Sequence, residues 1–316
     1  PRAQSDNNKR DNMLEFNTIE QLDKIATPFY YYDMDLFRRT VDHVAELAHR
    51  HDIKVHYAIK ANVERRLLEY ISSKGFGADC VSGNEVLHAH SCGFPAEKIV
   101  FTGNPIRKEI VPATTQMKAE AYEYYGLDPH KKQLFIVGGS LGSGTLNNAM
   151  KKWITEGCPG GENMQIIWQC GKYYKPSVDA FMKEAAEKGL GGETLSRITH
   201  SDFIKRMDLA YAAADVVISR SGASSISELC AAHKAAIFVP SPNVTEDHQT
   251  HNAMALVNKE AGMIVKDSEA AEKLMATACE LIENPEKIAL IEKNVAALAK
   301  SDAAMTIAEH IYKTIR

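Results

Sequence analysis

Ala214-Asp215-Val216-Val217-Ile218-Ser219-Arg220-Ser221-Gly222-Ala223-Ser224-Ser225-Ile226-Ser227-Glu228-Leu229 opens as a short β-branched apolar run. It turns small and polar in the middle and ends with helical spacing. That order reads as buried strand, tight loop and helix. Gly222 lets main chain approach a ligand closely, and the helix start offers backbone N–H groups at its positive end. Arg220 and Ser221 lie in this loop, and Ser221, Ser224 and Ser225 add hydroxyls suited to phosphate or sugar oxygens. Glu228, one turn on, is placed to accept both hydroxyls of a ribose, though a carboxylate on a helix also reads simply as a solvated charge.

A second loop of the same kind lies upstream. Gln133-Leu134-Phe135-Ile136-Val137 predicts a buried strand that runs into Gly138-Gly139-Ser140-Leu141-Gly142-Ser143-Gly144, with a helix from about Thr145 to Thr155. Glycine in such a loop serves either a ligand or the tight β–α turn itself, and the spacing differs from that of dinucleotide folds. Further strands are expected at Met164–Gln169, Leu195–Thr199, Ala235–Val239 and Gly262–Val265. Helices are expected from Ser177 to Lys188, from Ser201 (as cap) to Ala213 and from about Glu246 to Glu260, with three more at the C-terminus. Residues 131–316 are therefore predicted to be an α/β, doubly wound, Rossmann-like domain with its crevice along the carboxyl edge of the sheet.

Composition limits the classes of function. The 316 residues carry a net charge of −4, 45% hydrophobic and 25% charged residues, which describes a globular chain and no basic nucleic-acid surface. No apolar run approaches the roughly 20 residues of a membrane span. Cys80, Cys92, Cys158, Cys170, Cys230 and Cys279 form no C-x-x-C pair and read as reduced thiols of a cytoplasmic protein. Residues 1–13 read as a disordered leader.

The first hundred residues alternate as well. A helix is expected at Thr18–Ile25, a strand at Pro28–Tyr32 and a long helix from about Asp35 to Arg50. The strand Lys54–Asn62 carries Lys60 near its end and is followed by helices at Arg65–Ser73 and Asn84–Cys92 and strands at Phe76–Cys80 and Lys98–Phe101. By position alone Lys60 is a surface lysine at a strand exit. Tyr57-Ala58-Ile59-Lys60-Ala61-Asn62, Gly77 through Glu85, and Gly93 through Phe101 together resemble the opening of the diaminopimelate decarboxylase family. That resemblance covers residues 14–103 and implies part of a (β/α)8 barrel, with Lys60 forming a Schiff base with pyridoxal phosphate in a poorly solvated mouth. The rest of the barrel and the C-terminal β domain of that family have no counterpart in the sequence. Residues 104–130 read as a linker and helix.

From Thr102 onward the chain resembles the peptidoglycan glycosyltransferases that move N-acetylglucosamine from UDP-N-acetylglucosamine onto lipid I, specifically their C-terminal half of GT-B type. The matching motifs are Thr102–Arg107, Gly138–Gly142, Gln169–Lys172, Asp202–Met207, Ser219–Glu228 and Asp247–Ala253. The resemblance implies that Glu228 takes the ribose hydroxyls, that the Ile204 backbone and Arg107 face uracil, and that Met207 lines the base pocket. Ser140, among Gly138, Gly139 and Gly142, would approach the diphosphate. The Ala223-Ser224-Ser225 backbone, His248 and Gln249 would hold the sugar. Asn252 would join them, though Gln249 and Asn252, three apart, also read as caps or cross-links of a loop.

The acceptor pocket of that family is not recognisable in residues 1–101, so a junction is expected near residues 101–103 and impaired transfer onto lipid I. The leading expectation is a UDP-N-acetylglucosamine-binding domain that needs no cofactor or metal, with membrane contact at most peripheral at the inner face. The alternatives are a pyridoxal-phosphate decarboxylase or its remnant, and a nucleotide-sugar-binding module without catalysis.

Overall fold

The computed structural model describes residues 22, 24–27, 29–242, 247–300 and 302–315. The chain divides after Val100 into two compact units. The expected leader, and all but the end of the helix expected at Thr18–Ile25, lie outside the described residues.

In the first unit α1 (Met34–Arg50) begins at Asp33, whose carboxylate accepts from the Leu36 amide at 2.9 Å. Its apolar stripe, with Phe37, Val41 and Ala45, packs on a core of Ile59, Leu68, Ile71, Phe76, Ala78 and Phe94. Three short strands, β1 (His56–Ala58), β2 (Gly77–Cys80) and β3 (Ile99–Phe101), form a sheet in sequence order, and β1 and β2 run parallel. Helices α2 (Arg65–Ser73) and α3 (Gly83–Ser91) alternate with them. At the start of α3 the Ser82 hydroxyl accepts from the Glu85 amide, and the Glu85 carboxylate accepts from the Val81 amide, a reciprocal cap.

Two expectations are corrected here. Residues 29–32 form no strand. The strand expected over Lys54–Asn62 stops at Ala58 and tightens into a 3-10 turn, Ile59–Ala61, because Ile59 turns in to be fully buried while Lys60 faces out.

The second unit is built on six parallel strands: β4 (Lys132–Val137), β5 (Met164–Gln169), β6 (Ile198–Ser201), β7 (Val216–Ser219), β8 (Ala236–Phe238) and β9 (Met263–Ile264). Their order across the sheet is β6-β5-β4-β7-β8-β9. Strands covered on both faces are rich in apolar residues along their whole length, and every residue of β5 and β7 is buried, the polar Gln165, Gln169 and Ser219 included. The covering helices are α4 (Thr115–Tyr125), α5 (Gly144–Thr155), α6 (Lys175–Glu187), the short α7 (Gly192–Leu195), α8 (Met207–Ala213), α9 (Ala223–Ala231), α10 (His248–Val257), α11 (Ala270–Ile282), α12 (Pro285–Ala296) and α13 (Ala303–Ile315).

The strand expected at Leu195–Thr199 is displaced, since α7 occupies its start and β6 runs on to Ser201. Ser201 therefore pairs across the sheet with Gln169 and caps no helix, and α8 starts six residues later. The helix expected from Glu246 is observed from His248 to Val257, Glu246 itself lying outside the described residues.

In that strand order the first strand, β4, lies at the centre, and the chain moves outward to β6 before returning to β7 on its other side. This is a topological switch point, where the loops leaving two adjacent strands diverge and open a crevice. Register makes the two exits level, because Val137 pairs with both Ser219 and Gln169.

Candidate functional site

Both glycine-bearing loops leave the sheet at this switch point. After β4 the chain turns through Gly139 (φ 87°) and Gly142 (φ 80°), and the Gly142 amide donates to the Gly139 carbonyl at 3.0 Å. Ser140 and Leu141 are lifted into solvent. Ser143 then caps α5 by accepting from the Leu146 amide. After β7, Gly222 is the N-cap of α9 and, having no side chain, supplies no cap hydrogen bond to the first amides of that helix. The amides of Ala223, Ser224 and Ser225 thus stand at the positive end of a nine-residue helix, an arrangement that stabilises an anion.

Gln169 holds the first loop from the neighbouring strand. Its Oε1 accepts from the Gly138 amide at 2.9 Å, and its Nε2 donates to the carbonyls of Gly139 (2.9 Å) and Asp202 (3.0 Å). One buried amide thereby ties together the exits of β4, β5 and β6. Reading the sequence for ligand-contacting residues passes over Gln169, although a glutamine closing the apolar run Ile166-Ile167-Trp168 is the available signal.

Arg220, Ser221, Gln249 and Asn252 are engaged within the protein. Arg220 donates to the carbonyls of Val239 (2.9 Å) and Pro240 (3.2 Å) and pairs with Asp267. The Ser221 hydroxyl, fully buried, donates to the Gln249 carbonyl at 2.8 Å, and the Asn252 amide donates to the Ser221 carbonyl at 3.2 Å. The Gln249 side chain accepts from the Ser241 amide at 3.0 Å. Of the two uses open to Gln249 and Asn252, loop cross-linking is the one their contacts display. His248 is exposed at the start of α10.

Glu228 is 8% exposed and fully hydrogen-bonded. Its Oε1 accepts from Arg107 Nε (3.0 Å) and Nη2 (2.8 Å), and its Oε2 from Arg107 Nη2 (2.8 Å) and the Tyr211 hydroxyl (3.3 Å). Tyr211 lies edge-on to Phe135, and burial followed by the Glu228 charge pushes its phenol well above the usual range. Met207 sits one turn before Tyr211 on α8 and so shares its face. The Ile204 side chain is buried in the loop between β6 and α8. Arg107, Glu228, Tyr211 and Met207 are thus gathered on one side of the crevice. Tyr211 is not singled out by sequence, because its role depends on the hydrogen bond from its hydroxyl to Glu228, 17 residues later on α9.

In the first unit Lys60 is exposed on its turn, and the sheet stays open at three strands among the described residues. A pyridoxal phosphate carried there would stand in solvent, so these residues do not form the enclosed mouth that the group requires. Among the described residues no cluster could hold a metal ion, and no helix is long and apolar enough to cross a membrane. A shallow depression of ≈510 Å³ lined by Met182, Leu190 and Leu195 lies at the amino edge of the sheet, away from both loops.

The pattern of the glycosyltransferase family 28 C-terminal domain matches residues 133–309, more than half of the chain. The chain belongs to that family. The family 28 match spans all six strands of the second unit except the first residue of β4. A second pattern, the pyridoxal-binding domain of pyridoxal-dependent decarboxylases, matches residues 34–122.

The UDP-N-acetylglucosamine--N-acetylmuramyl-(pentapeptide) pyrophosphoryl-undecaprenol N-acetylglucosamine transferase of Bacteroides fragilis is 46% identical over 220 residues, 70% of this chain and 56% of its own length. The transferase of the same name from Parabacteroides distasonis is 43% identical over 222 residues, 57% of its length. The family 28 chain therefore spans little more than half the length of these relatives. Among solved structures, Acinetobacter baumannii MurG superposes with a TM-score of 0.62 at 19% identity, over 94% of this chain and 88% of that one. Anabaena Alr3699/HepE in complex with UDP gives 0.55 at 16% identity, over 87% and 77%. At these identities the likeness is one of fold.

Proposed function

We propose that residues 101–316 bind UDP-N-acetylglucosamine as the donor half of a transferase that moves N-acetylglucosamine onto lipid I. The observation that carries this reading is the switch point, where the helix starts behind Gly138–Ser143 and Gly222 flank one crevice beside Glu228. Diphosphate charge would be stabilised by the amides of Ala223–Ser225 and the loop around Ser140, and more strongly as UDP departs and gains charge. Glu228 would accept the ribose hydroxyls. Arg107, Met207 and the Ile204 main chain would surround the base, and His248 with the start of α9 would face the sugar. The reading calls for no cofactor. It is supported by the activity that names the relatives 46% and 43% identical over this region, and membrane contact would be peripheral.

Transfer onto lipid I further requires an acceptor pocket with a positioned base, which together are worth several orders of magnitude in rate. Calorimetric titration of the chain with UDP and UDP-N-acetylglucosamine, on wild type and Glu228→Ala, tests the donor half: binding that Glu228→Ala weakens supports it, and absence of binding removes it.

A further inference from the structure

Resting on that nucleotide reading, we propose that Arg107 sets ribose specificity by placing its guanidinium fork on the same two Glu228 oxygens that a ribose diol must use. A carboxylate has about four acceptor positions. At Glu228 four contacts fill them: Arg107 Nε and Nη2 on Oε1 at 3.0 and 2.8 Å, Arg107 Nη2 on Oε2 at 2.8 Å, and the Tyr211 hydroxyl on Oε2 at 3.3 Å. A guanidinium offers two parallel N–H donors to the two oxygens of a carboxylate, and a vicinal diol offers two O–H donors in the same pattern. The ribose therefore enters by exchange, each hydroxyl replacing a donor of the fork.

The two partners of Glu228 differ in how readily they leave. The Arg107 side chain is 47% exposed and sits on a segment with no helix or strand, so its head can pass into water with little loss of packing. Tyr211 is 2% exposed, lies within α8 and is wedged edge-on against Phe135 with ring centroids 5.7 Å apart. It keeps Oε2 in place while the guanidinium withdraws. Glu228 is thus presented to the nucleotide already oriented, with a displaceable internal mimic of the diol on its open side. A nucleotide lacking one hydroxyl replaces only part of the fork, and the preference for ribose reflects the diol's advantage over Arg107, not the full strength of its bonds to the carboxylate.

The test is the ratio of dissociation constants for 2′-deoxy-UDP and UDP, measured by calorimetry on the full chain. Loss of base or phosphate contacts, or a general loosening of the fold, moves both constants together and cancels in the ratio. Arg107→Met removes the competing fork, and the ratio is expected to rise about tenfold, a change of roughly 1.4 kcal/mol in discrimination. Arg107→Lys keeps the charge, loses the fork, and serves where the Met variant folds poorly; it is expected to raise the ratio in the same direction. A ratio that stays within twofold of wild type, or falls, in the folded variants overturns the inference while leaving the donor reading standing. A wild type that binds neither nucleotide overturns both.

Discussion

Gly142 and Gly171 meet back to back across the exits of β4 and β5. A Cβ added to Gly171 would lie 2.4 Å from the Gly142 Cα, and one added to Gly142 would lie 2.3 Å from the Cys170 carbonyl oxygen. Both residues also have positive φ, 80° and 89°. The obstacles are backbone atoms, which cannot swing aside.

Gly142→Ala and Gly171→Ala are therefore each expected to cost about 2–4 kcal/mol, combining left-handed backbone strain with displacement of the neighbouring loop. Urea denaturation measures the cost, and a loss below 0.5 kcal/mol, roughly the surface-substitution level, would contradict it. Weaker UDP binding should accompany the loss, because the same displacement moves the loop that carries Ser140.

Arg220 and Glu228 lie eight positions apart on one strand–loop–helix unit but are expected to fail differently. Arg220→Met leaves Asp267 unpaired and abandons the carbonyls of Val239 and Pro240, for a stability loss of about 3 kcal/mol. Its folded fraction should bind UDP within about threefold of wild type. Glu228→Ala should lose about 1–3 kcal/mol of stability, since its Arg107 partner can turn to water while the buried Tyr211 hydroxyl loses its acceptor, and should bind UDP at least tenfold more weakly. Paired denaturation and calorimetry separate the two, and a Glu228→Ala variant with undiminished UDP affinity would remove this carboxylate from the nucleotide site.

The Glu292 carboxyl is pushed above its ordinary value by burial, against the attraction of Lys234 and Lys118. The unfolded chain releases that proton near pH 4.3, about its free value. From there up to the raised folded value the folded state holds the proton more tightly, so this group's contribution to stability falls as pH rises and stays low above the window. Glu292→Gln is expected to be at least as stable as wild type at pH 7.5, with the advantage disappearing below about pH 4. Thermal melts across that range check the sign, and an advantage that grows as pH falls would refute it.

Burial pushes the Cys80 and Cys158 thiols up to about 12 and those of Cys230 and Cys279 up to about 11, and it raises Cys170 as well. Cys92 is 2% exposed. Since the thiolate is the reactive form, the native protein at pH 8 should show no rapidly titrating thiol. Cys279, the one cysteine that is not buried, should react first, and all six on unfolding. A fast equivalent in the native state would identify a segment that opens locally.

Much of this architecture can be read from the chain before any coordinates. β5 is legible to the residue because its Ile-Ile-Trp run lies between turn-forming stretches on either side, and the two glycine loops declare themselves after the apolar strands β4 and β7. What escapes depends on partners distant in sequence. Ser201 looks like a helix cap, yet its pairing with Gln169 keeps it in β6. Glu228 looks like an isolated acceptor on a helix, while its partner Arg107 stands 121 residues earlier and Tyr211 arrives on another helix. Gln249 and Asn252 read as sugar contacts, with capping or cross-linking as the alternative, and only the path of the loop around Ser221 distinguishes those uses. In the first unit Lys60 sits at a strand exit, but enclosure of such a lysine needs more strands than the three found there among the described residues.

The central place of β4 sets a timetable for synthesis. As the chain leaves the ribosome, β5 and β6 can line up on one flank of β4, while its other flank waits for β7, more than 75 residues after Val137. A nascent chain paused just past Ser201 would expose the bare hydrogen-bonding edge of an apolar strand, Leu134 through Val137, to whatever else is in reach. Translation rate over residues 202–219 should therefore govern how much of this protein reaches its native form, with chaperones most needed during that interval.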